Sequence, residues 1–310
     1  MRFIESPLNK ASSPVQSHVM GWLAIMGAVA IYAGNFVVSR YAIKAEIGVN
    51  DMVALRFGVA GVIMLPLLMR YGVRGFAGIG LWRGVILTIL AGPPFALIWV
   101  WGVSLAPVAH GAAIIAAMIP ISAALGSSFV TGHKIPPGKY LAFASIILGL
   151  CMVNGFAISA KPEVLFGDFL FLICGAMWGA YSVILRQWQL DPMPVTIAVS
   201  MLSLLYLPVY FLLLTPDFGN ASTGEIAFLA FYQGILASIV SLLLFSYAVR
   251  AIGPQRATLG NATVPIFAAM LAVPVLDELP SPIQWLGIVL VVSSVILAAR
   301  MQEAVPVTEK

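Results

Sequence analysis

Ala117-Met118-Ile119-Pro120-Ile121-Ser122-Ala123-Ala124 and Ala262-Thr263-Val264-Pro265-Ile266-Phe267-Ala268-Ala269 agree at five of eight positions, 145 residues apart. A second pair, Ala30-Ile31-Tyr32-Ala33-Gly34-Asn35 and Ala176-Met177-Trp178-Gly179-Ala180-Tyr181, aligns at an offset of 146, and this offset also brings Gly21 onto Gly167 and Arg40 onto Arg186. Ala-rich apolar sequence matches itself easily, so the identities alone carry little weight. Their nearly constant offset divides the chain into two halves of similar layout.

The composition says what kind of halves these are. Hydrophobic residues make up 61% of the 310 and charged residues 9%, against about 25% charged in a soluble domain. So little polar surface cannot keep a folded body in water. A hydrocarbon core about 30 Å thick takes roughly 20 apolar residues as helix, and a helix satisfies its own backbone groups where lipid cannot. Ten such stretches are predicted, at 19–40, 51–69, 82–103, 107–130, 138–157, 167–186, 194–214, 226–249, 255–276 and 282–299. The fold class expected is all-α and integral to the membrane, with ten helices in two inverted repeats of five. The first repeat is expected at 19–157 and the second at 158–300, flanked by a segment at 1–18 and a tail at 301–310. Residues 1–18 are polar and mixed, without a short apolar core or a small-residue cleavage site, so the first span is expected to act as its own insertion signal.

Charge supports both the count and the inversion. Twelve of the sixteen Lys and Arg residues fall on one side: Arg2, Lys10, Arg70, Arg74, Arg83, Lys134, Lys139, Arg186, Arg250, Arg256, Arg300 and Lys310. The acidic residues Glu46, Asp51, Glu163, Asp168, Asp217, Glu225, Asp277 and Glu278 fall on the other. The positive-inside rule then places both termini in the cytoplasm, and a bacterial inner membrane is the expected location. Five is an odd number, so the second half sits upside down and corresponding loops should differ in charge. The basic loop between spans two and three faces a counterpart with Asp217 and Glu225, and the loop with His133, Lys134 and Lys139 faces one with Asp277 and Glu278. Inverted repeats of this kind place a solute site between them near the midplane.

Pro120 and Pro265 occupy matching positions in spans four and nine, and Gly92-Pro93-Pro94 interrupts span three. Proline removes a backbone hydrogen bond and bends a helix, so Pro93, Pro94, Pro120 and Pro265 are expected hinges. No Asp, Glu or Lys is expected deep within a span. A buried charge costs about 2.5–3.5 kcal/mol even on the lenient scale, so the solute is expected to be neutral overall or zwitterionic, with no carboxylate set aside for ion coupling. The remaining groups at depth are Tyr32 and Asn35 in span one, Trp101 (with Trp99) in span three, Trp178 and Tyr181 in span six, Ser241 and Tyr247 in span eight, and Asn261 and Thr263 in span nine. An indole or phenol offers an apolar face and one polar tip, which suits an amphipathic solute. Tyr32, Asn35, Trp101, Trp178, Tyr181, Tyr247 and Asn261 are the candidate binding residues. Trp22, Trp82, Trp188 and Trp285 read as interfacial belts. Arg40 and Arg56 either meet a solute carboxylate or pair with Glu46 or Asp51, pairing being the stronger expectation. His110 reads as a polar lining group rather than a proton relay. Cys151 and Cys174 read as small core residues.

This layout resembles the drug/metabolite transporter superfamily. The small-aromatic-small sequences of spans one and six, Asn35-Phe36-Val37 and Leu55-Arg56-Phe57 are similar to its EamA branch. Within that branch the chain resembles bacterial amino-acid exporters of the YddG type. The resemblance implies that spans one to four and six to nine surround a central cavity and that spans five and ten lie outside. Small multidrug transporters use a Glu in span one and sugar-phosphate exchangers use cavity Lys and Arg, and this chain departs from both. The expected function is export of aromatic and other neutral amino acids and related amphipathic metabolites by alternating access. A drug or nucleoside-like exporter of the same superfamily is the alternative. A channel, or an intramembrane enzyme without GxSxG or HExxH, is the rival of another class. The partners expected are a small-molecule solute and the bilayer, with no cofactor, metal or nucleic acid, and a monomer is compatible with the layout.

Overall fold

In the computed structural model, which describes residues 14–72, 75–132, 135–155, 161–252 and 254–301, every regular element among the described residues is helical. The expected positive charges Arg2, Lys10, Arg74, Lys134 and Lys310, together with His133, lie outside the described residues, as do the side chains of Arg186 and Arg250. Span one is Pro14–Lys44 and span two is Val49–Tyr71. Span three has two parts, Leu81–Ala91 and Pro93–Leu105. Span four is Val108–Thr131, span five Pro137–Val153 and span six Pro162–Gln187. Span seven runs through Pro192–Ser203 and Tyr206–Leu213. Span eight comprises Thr223–Leu229, Ala230–Val240 and Ser241–Ile252. Span nine is Pro254–Asn261 followed by Val264–Leu276, and span ten is Pro282–Arg300. Nine of the ten are helices of at least 18 apolar residues; span five is shorter at 17. At 1.5 Å per residue that still gives about 25 Å, close to the hydrocarbon thickness.

An even number of spans puts both termini on one face, called here the terminal face; the opposite one is the far face. The pseudo-symmetry is visible in single contacts. A Cβ on Gly21 would collide with Ala251 and Ile252, and one on Gly167 with Leu105 and Ala106. Shifting Gly21 and its two neighbours by the sequence offset of 146 turns the first contact into the second, with the roles of the halves exchanged. Spans one and eight therefore pack as spans six and three do. Small residues permit this approach, because packing in lipid rests on close backbone contact. Spans five and ten pack on each other through Gly149 and Gly287, where a Cβ on Gly287 would sit 2.7 Å from the Gly149 carbonyl. Both also lean on span four.

The helix distortions differ from the prolines' symmetry. Span three breaks at Gly92, where a Cβ would meet the Thr88 carbonyl at 2.5 Å and Ser203 Oγ at 2.9 Å, and Pro93 starts the next segment. The corresponding part of span eight is not broken; Ala230–Val240 is π-helical, a wider turn found frequently at functional sites. Pro120 lies inside a continuous helix, whereas Pro265 opens a new segment after a turn at Ala262–Thr263. Matching prolines thus sit within an unbroken helix in one half and at a break in the other. Span seven also breaks, at Leu204–Leu205, without proline at the break. Cys174 is buried against the Phe95 carbonyl, but Cys151 is exposed on the outside of span five, contrary to the expected core position.

Candidate functional site

Spans one, two, three, six and eight bring a small set of side chains together in the middle of the bundle. Tyr32 meets Ser241 and lies within electrostatic reach of Arg56 and of Tyr181. Tyr181 stacks at a tilt on Trp178, their ring centroids 5.2 Å apart, and Trp178 in turn meets Phe95 at 5.4 Å. Trp178 and Tyr181 share a helix face because they are three residues apart. Phe36 and Trp99 form a second, edge-on pair at 5.4 Å. Aromatic pairs at such distances favour offset and edge-on geometry and give the region rigid apolar walls.

Among the described residues six buried polar atoms have no hydrogen-bond partner: Asn35 Oδ1, Arg56 Nε and Gln233 Oε1 in spans one, two and eight, and Asn154 Oδ1, Ser203 Oγ and Asn261 Oδ1 in or at the end of other spans. Gln233 donates through Nε2 to Ser39 Oγ at 2.7 Å, which ties the π-helical segment to span one and leaves its carbonyl oxygen free. Buried polar groups are nearly always satisfied, so each of these orphans calls for an explanation. Gln233 was not among the sequence candidates, although a lone Gln in an apolar span was a signal for it.

Two candidates are not part of this cluster. Trp101 is 48% exposed and packs edge-on against Phe166 on the outer surface. Trp99, two residues earlier, is about 200° away around the helix and is the one that points inward. Tyr247 shares an exposed face with Leu243, one turn earlier. Both therefore fit the amphipathic belt that aromatic residues form at membrane interfaces. A groove of about 360 Å³ between spans one, eight and nine is lined by Val37, Tyr41, Phe228, Tyr232, Leu271 and Val275. Its walls include exposed apolar residues, so it opens sideways and is separate from the central cluster.

The far face is fastened by three polar clusters, each joining the two halves. In the first, Arg40 Nε donates to Glu278 at 3.0 Å and Arg40 also donates to the carbonyls of Val103 and Ser104 at 2.7 and 2.8 Å. Glu278 further accepts the Val108 N–H at 3.0 Å, and Lys44 stands 3.6 Å away. The Arg40–Glu278 pair thus gathers the ends of spans one, three, four and nine. In the second, the Tyr210 hydroxyl and the Asp217 N–H both donate to Asp51, and Gly48 N–H donates to the Asp217 carbonyl. In the third, His110 Nδ1 lies 3.1 Å from Asp168, while Gln284 Nε2 is 3.3 Å from His110 Nε2 and 3.0 Å from the Val153 carbonyl. A carboxylate only accepts, so Nδ1 carries the hydrogen and Nε2 receives one from the amide.

These clusters revise four sequence expectations. Arg40 pairs with Glu278, not with Glu46 or Asp51. Arg56 pairs with neither: Asp51 is engaged by Tyr210, and Glu46 accepts from Asn220. Asp168 is 5% exposed and belongs to span six, which starts five residues earlier than predicted, so buried carboxylates do occur within helices. His110 is a structural link between halves rather than a lining group. On the terminal face the described ties between halves are Arg256 with His18 and Arg83 stacked over Trp188 at 5.3 Å.

A ten-span, all-helical bundle with inverted halves, a central aromatic cluster and a fastened far face has the architecture of a multi-pass membrane protein. The EamA-like transporter family model matches twice, at residues 19–155 and 165–300, and the chain belongs to that family. It is 25% identical over 169 residues to an uncharacterized transporter of Archaeoglobus fulgidus, covering 53% of this chain and 57% of that protein. It is 29% identical over 149 residues to the uncharacterized transporter YwfM of Bacillus subtilis, covering 46% of this chain and 48% of that protein. The chain thus spans about half the length of these curated relatives. A solved protein crystal structure superposes with a TM-score of 0.59 at 17% identity, covering 94% of this chain and 100% of the other, which shows a shared fold.

Proposed function

We propose that this carrier exports aromatic and other neutral amino acids, and related small amphipathic metabolites, by alternating access. In this reading it sits in a bacterial inner membrane with both termini in the cytoplasm, and the repeats at 19–157 and 158–300 rock against each other. The observation that carries the proposal is the arrangement of ties: three polar clusters close the far face between the halves, and the aromatic cluster of Phe95, Trp178 and Tyr181 lies deeper in the bundle, Trp178 being about 15 Å along span six from Asp168. Opening that face breaks those ties, while on the terminal face the described polar and cation–π ties between halves number two, beside the apolar packing of Met64 and Leu68 on Ile197 and Met201. Among the candidates, Tyr32, Asn35, Trp178, Tyr181 and Asn261 form the solute path. The breaks at Gly92-Pro93-Pro94 and before Pro265 serve as hinges, and Pro120 gives a softer point in an unbroken helix. A site of aromatic walls and few hydrogen bonds discriminates weakly between apolar side chains, so a broad substrate range follows.

The test is flux in liposomes that hold the purified protein and one radiolabelled amino acid, with other amino acids, nucleosides and sugars as competitors. Saturable flux that several neutral amino acids compete for supports the proposal. Non-saturating flux indicates a pore, and competition by nucleosides but not amino acids indicates the alternative substrate class; either overturns it.

A further inference from the structure

We infer that Arg56 is the anion-recognition point of the central cluster, so that transported solutes carry a carboxylate beside an apolar body. This rests on the reading of the central cluster as the solute path. Arg56 is seven residues into a helix that starts at Val49, about 10 Å below the far end of the span at 1.5 Å per residue. Its Nε is buried without a partner, and among the described residues its guanidinium forms no salt bridge or hydrogen bond. The single contact of note is with the neighbouring Phe57 ring, 5.8 Å from the guanidinium carbon.

Helix phase separates Arg56 from the carboxylate that pairing would require. Asp51 and Arg56 are five residues apart, about 140° around the helix. Asp51 therefore turns toward Tyr210 of span seven, while Arg56 turns toward Tyr32 of span one. Two other buried or half-buried far-face carboxylates are engaged as well, Glu278 by Arg40 and Val108 and Asp168 by His110. A cation kept in a membrane interior without a partner is expensive and marks a substrate or ion pathway. Arginine in particular stays charged, and its planar fork matches a carboxylate at two points. The phenol of Tyr32 lies on the same side and has one hydrogen to offer an anion, whereas Ser241 beside it already donates to the Ala237 carbonyl at 2.8 Å. The aromatic pair Trp178–Tyr181 is coupled to Tyr32 from span six and would hold the apolar body. A single cation favours a monoanion over a phosphate dianion.

The experiment uses matched ligands of one shape: phenylalanine, 3-phenylpropionate, phenethylamine, phenylalaninamide and phenyl phosphate. Thermal stabilisation of the purified wild-type protein is measured first, then competition for labelled phenylalanine flux. Phenylalanine and 3-phenylpropionate are expected to stabilise and compete, while the amine and the amide do not. In Arg56→Gln the two carboxylates lose about tenfold to a hundredfold in apparent affinity, the range of one charged hydrogen-bonding group, and Arg56→Lys recovers part of it. Equal binding of phenethylamine or phenylalaninamide, tighter binding of phenyl phosphate, or no binding by either carboxylate overturns the inference; the wild-type panel decides even if a variant fails to fold. Trp178→Ala separates the two readings. If it weakens phenylalanine binding and Arg56→Gln does not, the solute path stands and the anion assignment falls. If neither has an effect, both fall.

Discussion

Replacing Glu278 by Ala should loosen the far face by an amount that the geometry sets. The substitution removes the acceptor for Arg40 Nε and for the Val108 N–H, both at 3.0 Å. A hydrogen bond to a charged group contributes about 1.5–3 kcal/mol when shielded. The side chains of Arg40 and Glu278 are 17% and 19% exposed, so water screens only part of this. Lys44 adds little, being 46% exposed and 3.6 Å away. Arg40 keeps its bonds to the Val103 and Ser104 carbonyls, which limits the loss. The net cost is about 2 kcal/mol, or roughly a 30-fold rise in the open population. The assay places one cysteine at Asn35, which is 8% exposed and five residues below Arg40 on span one, in a Cys151→Ser, Cys174→Ser background. A membrane-impermeant maleimide is added from the far face. Labelling in Glu278→Ala should run at least tenfold faster than with Glu278 intact, and Glu278→Asp should fall between. Rates within twofold of each other would show that this carboxylate is not a clasp.

Other perturbations test the remaining contacts. Tyr210→Phe removes a hydroxyl from a buried pair, since Asp51 and Tyr210 are each 2% exposed; a loss of about 1–3 kcal/mol should lower the apparent Tm in detergent by several degrees, and an unchanged Tm would contradict the pairing. Gly167→Ala pushes a methyl against the Ala106 backbone N at 3.1 Å, whereas Gly126→Ala meets Val183 at an ordinary 3.6 Å. The first should cost about 1–3 kcal/mol through overpacking and the second almost nothing, as read by thermal unfolding. Trp178→Ala should change the competition order among aromatic and aliphatic amino acids, while Trp101→Ala, on the outer surface, should leave it unaltered; the reverse result would exchange their assignments.

Much of the architecture was legible because hydropathy and charge act over whole segments. Ten apolar stretches, the alternation of Lys and Arg, and the offset that maps Gly21 onto Gly167 are averages or repeats that tolerate local error. The site was less legible, because it depends on helix phase. Trp99 and Trp101 are both apolar and both lie in span three; only the packing of Phe36 and Phe166 tells which faces inward. In lipid the inner and outer faces of a helix are both apolar, so the contrast that marks a soluble helix is missing. Ion-pair partners were equally hidden. Arg40 finds Glu278 across 238 residues of chain, and its sequence neighbours Glu46 and Asp51 have other engagements. The matching prolines predicted matching hinges, yet local sequence decided the outcome: Asn261-Ala262-Thr263 yields to a turn where Ala116-Ala117-Met118 holds the helix.

The three clusters on the far face stand at separate points around its rim. A door held by three clasps opens only when all let go together, so the chance of stray opening is the product of three small ones. In the carrier proposed above, such a rim would keep leakage low and so spare the ion gradients across the membrane.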